Sequence, residues 1–172
     1  MQRDDHLLRV VVEILADLLR KPPTDAFRLV VVLPAHPSTG ADDTRGQLAV
    51  LSDADVDGRL LCSTLVARGK EAVEQVYVHA KIGIVDDRWL TLGSANLNEH
   101  SLFNDTEMNV VVHDPELARR TRLRLWSEHL ECPPERARIH RRELLRHQRG
   151  GEIDGLHAAG PIQRRVCVPL EA

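Results

Sequence analysis

The stretch 76–112, VYVHAKIGIVDDRWLTLGSANLNEHSLFNDTEMNVVV, decides how this chain is read. Its opening is rich in β-branched residues and predicts a strand over about 76–85, a turn at Asp86-Asp87-Arg88 and a returning strand over 89–92. Side chains alternate between faces along a strand. His79 and Lys81 are therefore expected on one face with Gly83, and Val78, Ala80, Ile82 and Ile84 on the other, in the core. A histidine beside a lysine is a poor core pair and a good phosphate pair. Imidazole attacks phosphorus or moves a proton near neutral pH. An ammonium offsets the charge that spreads over the equatorial oxygens during in-line displacement.

The returning strand runs into Gly93-Ser94-Ala95-Asn96. Glycine lets backbone approach an anion closely, and successive amides at such a turn form a concave donor site. The Ser94 hydroxyl and the Asn96 amide add donors that stay neutral. A valine-rich strand is expected over 107–113, and Glu107 at its start is placed to hydrogen-bond a ring nitrogen of His79. Such a bond fixes the tautomer and raises the basicity of the other nitrogen. None of this calls for a metal ion or an organic cofactor. Lysine is scarce in this arginine-rich chain, which makes Lys81 harder to read as an accident.

Working outward, Leu7, Leu8, Val11, Val12, Ile14, Leu15, Leu18 and Leu19 recur at helical spacing, with Asp4 and Asp5 as caps and Pro22-Pro23 as the stop. A short apolar run over 27–33 predicts a strand covered on both faces. PSTGADDTRG, 37–46, is read as a loop, 47–51 as a short helix and 60–66 as a second buried strand. Asp114 followed by Pro115 marks the start of a helix that runs to about Leu130, where Pro133-Pro134 ends it. Strands interleaved with helices indicate an α/β fold, layered α-β-α around a mixed sheet. The domain so defined covers 5–134. The remainder, 135–172, is broken by Gly150, Gly151, Gly155 and Gly160 and is expected to be an irregular, mobile tail. Tyr77, Trp89 and Trp126 read as packing residues, and Arg119, Arg120, Arg122 and Arg124 as a solvated helix face. His100, Ser101 and Asn104 stand near the pocket mouth with no role assigned.

An apolar fraction of 42% and a charged fraction of 28% describe an ordinary globular chain. The net charge of -3 provides no overall basic field, so nucleic acid is not the expected partner. Cys62, Cys132 and Cys167 stand far apart without metal-ligand spacing and read as buried or free thiols. The N-terminal apolar run is interrupted by Glu13 and Asp17, so it is neither a signal peptide nor a span, and a cytoplasmic location is expected.

The pattern H-x-K, four residues, D, six residues, G-S-x-N, met here at His79, Lys81, Asp86, Gly93, Ser94 and Asn96, resembles the signature of the phospholipase D superfamily. GADDTRGQL, GSANLNEHSLFNDTEMNVVV and RLRLWSEHLE are similar to the words around the second motif of bacterial two-motif phospholipases D. The likeness extends from the first helix to about Pro134. It implies one half of a bilobal enzyme in which two H-x-K sites face each other. By the same resemblance, His79 is the general acid that protonates the leaving alcohol, while its mate in the first half becomes a phosphohistidine. Lys81 and Asn96 hold the phosphoryl oxygens, with Gly93 and Ser94 beside them; Glu107 supports the histidine, and Asp86 is a structural turn residue.

No second H-x-K occurs in the chain, since no other histidine has a lysine two residues later. The resemblance therefore implies a phosphodiesterase of phospholipids, by hydrolysis or transfer to an alcohol, whose second motif comes from a homodimer or a separate N-terminal half. Contact with the membrane surface would be transient. Two rivals stand beside this expectation. A single-motif dimeric endonuclease would cut nucleic acid, and an inactive remnant would bind phosphate esters without turning them over.

Overall fold

The structure, a computed structural model, describes residues 5–36, 41–68, 73–98, 101, 104–137 and 164–169. It is an α/β fold with mixed strand directions, as expected. Among the described residues the strands form two small sheets in place of one.

The first helix, α1 (Asp5–Arg20), ends just before the proline pair that sequence marks as its stop. Val12, Ala16 and Leu19 lie on one face of it at spacings of four and three, and Leu19 is completely buried. They pack on Leu51 and Ala54 of α2 (Ala41–Ala54), with Phe27, Leu29 and Leu60 closing the cluster. Truncating Leu19 to alanine here costs about 2–5 kcal/mol. The second helix is longer than its sequence suggests. ADDTRG, read as loop, is its first turn and a half. Gly46 falls inside that helix, and a Cβ there would meet nothing within 4 Å.

Strand β1 (Leu29–Val32) runs parallel to β2 (Leu60–Arg68), which pairs antiparallel with β3 (Val73–Val76). Asp55 organises the entry to β2: its two carboxylate oxygens accept from the amides of Arg59 and Leu60 at 2.6 and 2.9 Å. The Arg59 side chain then reaches the Asp25 carbonyl at 2.8 Å, tying the β1 and β2 approaches together. A further strand, β7 (Arg164–Pro169), pairs antiparallel with β2. The irregular tail expected over 135–172 thus contains a strand, and Pro134–Ala137 forms a short helix, α4. The rest of that tail, 138–163 and 170–172, lies outside the described residues, as do Asp4 and His100.

The second sheet is antiparallel: β4 (Lys81–Val85), β5 (Trp89–Gly93) and β6 (Asn109–Val112), in that order. It packs against α3 (Pro115–His129), whose start is capped as sequence predicts. Asp114 accepts from the amides of Glu116 and Leu117 at 2.9 and 3.0 Å, and Pro115 occupies the first turn.

Several sequence expectations change here. The strand expected over 76–85 is two strands in different sheets, separated by 77–80, because its two ends find different partners in β2 and β5. Coverage on both faces of the 27–33 strand also fails, since Val30 is exposed. On the face expected to be core, Leu90 is 2% exposed against α3, whereas Ile82 and Leu92 are each 44% exposed farther along the same sheet. Helix α3 covers only the turn end of the hairpin. Tyr77, read as packing, is exposed and stands beside His79, with ring centroids 6.0 Å apart.

Cys62 and Cys132 are free thiols, both pushed above the usual thiol range by burial, Cys62 with Asp55 adding to the effect. Among the described residues no helix is long and apolar enough to cross a membrane.

Candidate functional site

The strand register assembles the motif. Lys81 pairs with Gly93, and Gly93 with Asn109, so one row across three strands brings the H-x-K segment to the G-S-x-N turn. Gly93 is what lets that row close. A Cβ there would stand 1.9 Å from Asn109 Oδ1 and 2.3 Å from the Met108 carbonyl oxygen, the latter a backbone atom that cannot simply step aside. Its role in the structure is close packing of β5 on the approach to β6.

The Ser94–Ala95 amides are not an open anion cradle. Ser94 N donates to the Met108 carbonyl at 3.0 Å and Ala95 N to Asn109 Oδ1 at 3.2 Å. The Ser94 hydroxyl accepts from the Met108 amide at 3.1 Å and gives its single hydrogen to Glu107. The concave donor site expected from sequence is therefore filled by the protein's own acceptors. Asn109, which sequence reading passed over, is the residue that fills it. Its signal was present only as the residue two after Glu107 on a strand edge.

The donors left to face a ligand are those of His79, Lys81 and Asn96. His79 is exposed and lies just before β4, so strand alternation does not set its direction. Instead, Lys81 Nζ donates to the His79 carbonyl oxygen at 2.6 Å, which binds the two residues to one another and leaves the ammonium two further hydrogens. Asn96 Nδ2 donates to Ser101 Oγ at 3.4 Å, with its second hydrogen uncommitted to that bond. The Glu107 carboxyl is held below the usual carboxylate range by hydrogen bonds from Ser94 and then Ser101, with the Lys81 charge assisting and partial burial opposing. The bond from Glu107 to a His79 ring nitrogen, expected from sequence, is not among the hydrogen bonds of the described residues. The carboxylate serves the two serines, because β6 begins only at Asn109 and leaves Glu107 in the preceding loop.

Asp86 sits at the far end of the hairpin with φ 51°, and Asp87 follows with φ 56°. Two successive left-handed residues suit the right-handed twist of an antiparallel hairpin, and aspartate tolerates that conformation better than most residues. The Arg88 amide closes the turn on the Val85 carbonyl at 3.0 Å. Arg122 then grips Asp87 with both a 2.5 Å Nε–Oδ1 and a 2.6 Å Nη2–Oδ2 bond. The same guanidinium lies 4.5 Å from the ring centre of Trp126. One of the four arginines read as a solvated face is thus a half-buried clamp on the motif hairpin.

A cleft of about 750 Å³ lies between β1–β2, the 76–84 segment and α3. Val30, Val32, Leu61, Leu65, Ile82 and Ile84 line it, and it reaches His79, but Lys81, Ser94 and Asn96 are not in its walls. Among the described residues no group of three or more His, Cys, Asp or Glu side chains converges in a way that would hold a metal ion.

The chain belongs to the phospholipase D-like family: residues 11–127, more than half of it, match the domain described as "Cardiolipin synthase, PLD-like domain". Among curated relatives, it is 44% identical over 79 residues to phospholipase D zeta 1 of Arabidopsis thaliana, covering 36% of this chain and 7% of that protein. It is 28% identical over 180 aligned positions to phospholipase D zeta 2 of the same plant, covering 76% of this chain and 17% of the relative. Cardiolipin synthase B of Escherichia coli K12 is 41% identical over 61 residues, which is 34% of this chain and 15% of that protein. The chain thus spans less than a fifth of the length of each of these relatives.

Proposed function

We propose that this chain is one catalytic half of a phospholipid phosphodiesterase, with His79 as the general acid. The observation that supports the reading is the row Lys81–Gly93–Asn109, which brings the H-x-K segment alongside the G-S-x-N turn, with the Lys81 ammonium bonded to the His79 carbonyl oxygen. Relatives named for phospholipase D and for cardiolipin synthase support a phospholipid as substrate.

The reaction uses a second histidine, from a second copy of the chain or a separate N-terminal half. That histidine attacks phosphorus, forming a P–N bond while the P–O bond to the leaving alcohol breaks. His79, protonated at the start, gives its ring proton to that oxygen. Water, or an acceptor alcohol, then attacks phosphorus, loses its proton to the now neutral His79, and displaces the second histidine. Lys81 and Asn96 bind the equatorial oxygens, where negative charge grows in the transition state. Glu107 stays ionised and keeps the serine hydroxyls turned towards itself. Asp86 holds the hairpin turn. Contact with the lipid surface lasts only as long as turnover.

Choline release from phosphatidylcholine by the purified chain, measured beside its mass in solution and beside cleavage of plain DNA, tests the proposal. Turnover by a dimer, or on adding an N-terminal half, is expected, with a loss of ~10³-fold or more in His79→Ala. DNA cleavage without choline release would replace it with the endonuclease reading. Turnover by a strict monomer would remove the second motif from the mechanism.

A further inference from the structure

We propose that Ser101, which lies outside the H-x-K and G-S-x-N pattern, is a positioning residue that makes Asn96 present an N–H, and never its carbonyl oxygen, to a phosphoryl group. Ser101 is 7% exposed, one of three buried polar residues among those described. Its amide donates to Asn98 Oδ1 at 2.9 Å, which holds its backbone in place. Its side chain stands between two motif partners, receiving Asn96 Nδ2 at 3.4 Å and donating to the Glu107 carboxylate.

Hydrogen-bond polarity makes this arrangement directional. A carboxylate held in its ionised form accepts only, so the one hydrogen of Ser101 must point at Glu107. The Ser101 oxygen is then left as an acceptor, and whatever approaches it must donate. Of the two ends of the Asn96 carboxamide, only the NH₂ satisfies that rule. One of its hydrogens is taken by Ser101, and the other is left for an oxygen of the ligand. With the hydroxyl removed, nothing at this position stops the amide from turning over, and its carbonyl would then repel a phosphoryl oxygen. The 3.4 Å separation is longer than the usual N–H···O range of about 2.7–3.2 Å, as is common in catalytic hydrogen bonds before a ligand tightens them.

This role presupposes the phosphate-ester reading of the site, but it is tested by binding and needs no turnover. Inorganic phosphate is titrated by calorimetry into the full chain, Ser101→Ala, Asn96→Ala and the double variant. Ser101→Ala is expected to weaken binding about 3- to 10-fold where Asn96 is present, the size of one ordinary hydrogen bond, and less than about twofold in the Asn96→Ala background. Equal losses in both backgrounds would mean that Ser101 merely holds the loop, and would overturn the proposal. A wild-type chain that takes up no phosphate overturns it too. Coupled binding without choline release sinks the proposed reaction alone and leaves Ser101's role standing. If Ser101→Ala cannot be purified, the wild-type chain still decides. On adding phosphate, one Asn96 side-chain amide proton should shift while its mate, bonded to Ser101, stays in place; both moving together would contradict the assignment.

Discussion

The two ends of the β4–β5 hairpin are built to opposite specifications. At the turn end, Asp87, Arg122 and Trp126 close on one another through a two-point ion pair and a ring contact, half-buried against α3. At the open end, His79 and Asn96 are exposed, Lys81 is half-buried, and the ammonium donates to a backbone carbonyl. The contrast shows how a strand pair can hold polar groups in water at one end. The other end supplies the rigidity, and the row from Lys81 to Asn109 transmits it without neutralising the groups that face a ligand.

Breaking either end should give a different signature. His79→Ala is expected to have the largest effect, a loss of ~10³-fold or more in choline release, equivalent to about 4 kcal/mol of transition-state stabilisation, with melting unchanged within a degree or two. Arg122→Ala should do the reverse. It removes the two-point bond to half-buried Asp87 and the cover of Trp126, so a loss of about 2 kcal/mol in chemical denaturation is expected, between the values for surface and buried pairs. Gly93→Ala should fall between the two signatures. The added methyl must push the Met108 carbonyl outward, costing about 1–3 kcal/mol, and it should weaken phosphate binding as well, because Ser94 and Glu107 move with that strand.

The pH dependence sharpens the open end. The folded state favours ionised Glu107, so the stability it contributes is present above the ordinary carboxylate range and disappears only as pH falls through its lowered value. Ser94→Ala removes the strongest of the causes and should move the Glu107 midpoint upward in a carboxyl ¹³C NMR titration. A midpoint unchanged by that substitution would remove Ser94 from the network. The smallest effect belongs to neither end. Gly46→Ala, inside α2 with open space around the new methyl, should raise stability by about 0.5–1 kcal/mol and leave phosphate binding alone.

What sequence made legible was local. Val12 and Leu19 on the face of α1, the Asp114–Pro115 start of α3 and the Asp86–Asp87 turn are decided by residues a few positions apart, and the structure has each of them, whereas Ile14, read onto the same face of α1, is exposed. The H-x-K and G-S-x-N segments were readable because fixed spacing along one hairpin sets their register. What was missed depends on partners distant in the chain. The split of the 76–85 strand follows from β2 and β5 competing for its two ends. Arg122 looks like its neighbours 119, 120 and 124 until Asp87, 35 residues away, is seen to meet it. Asn109 and Ser101 carry no motif spacing, and only the fold shows that their side chains engage the Ala95 amide and the Asn96 carboxamide. The run ADDTRG contains a glycine and reads as loop by composition, yet it is helical.

Following the His79 and Lys81 side-chain NMR signals of the isolated chain during a titration with inorganic phosphate bears most directly on the central assignment. Saturable shifts at both residues, abolished for His79 by Lys81→Ala and with the Trp126 indole signal unmoved, are the expected result. Phosphate that leaves the His79 ring untouched, or that shifts the Trp126 end instead, would show that the open end of the hairpin is not where a phosphate ester is received.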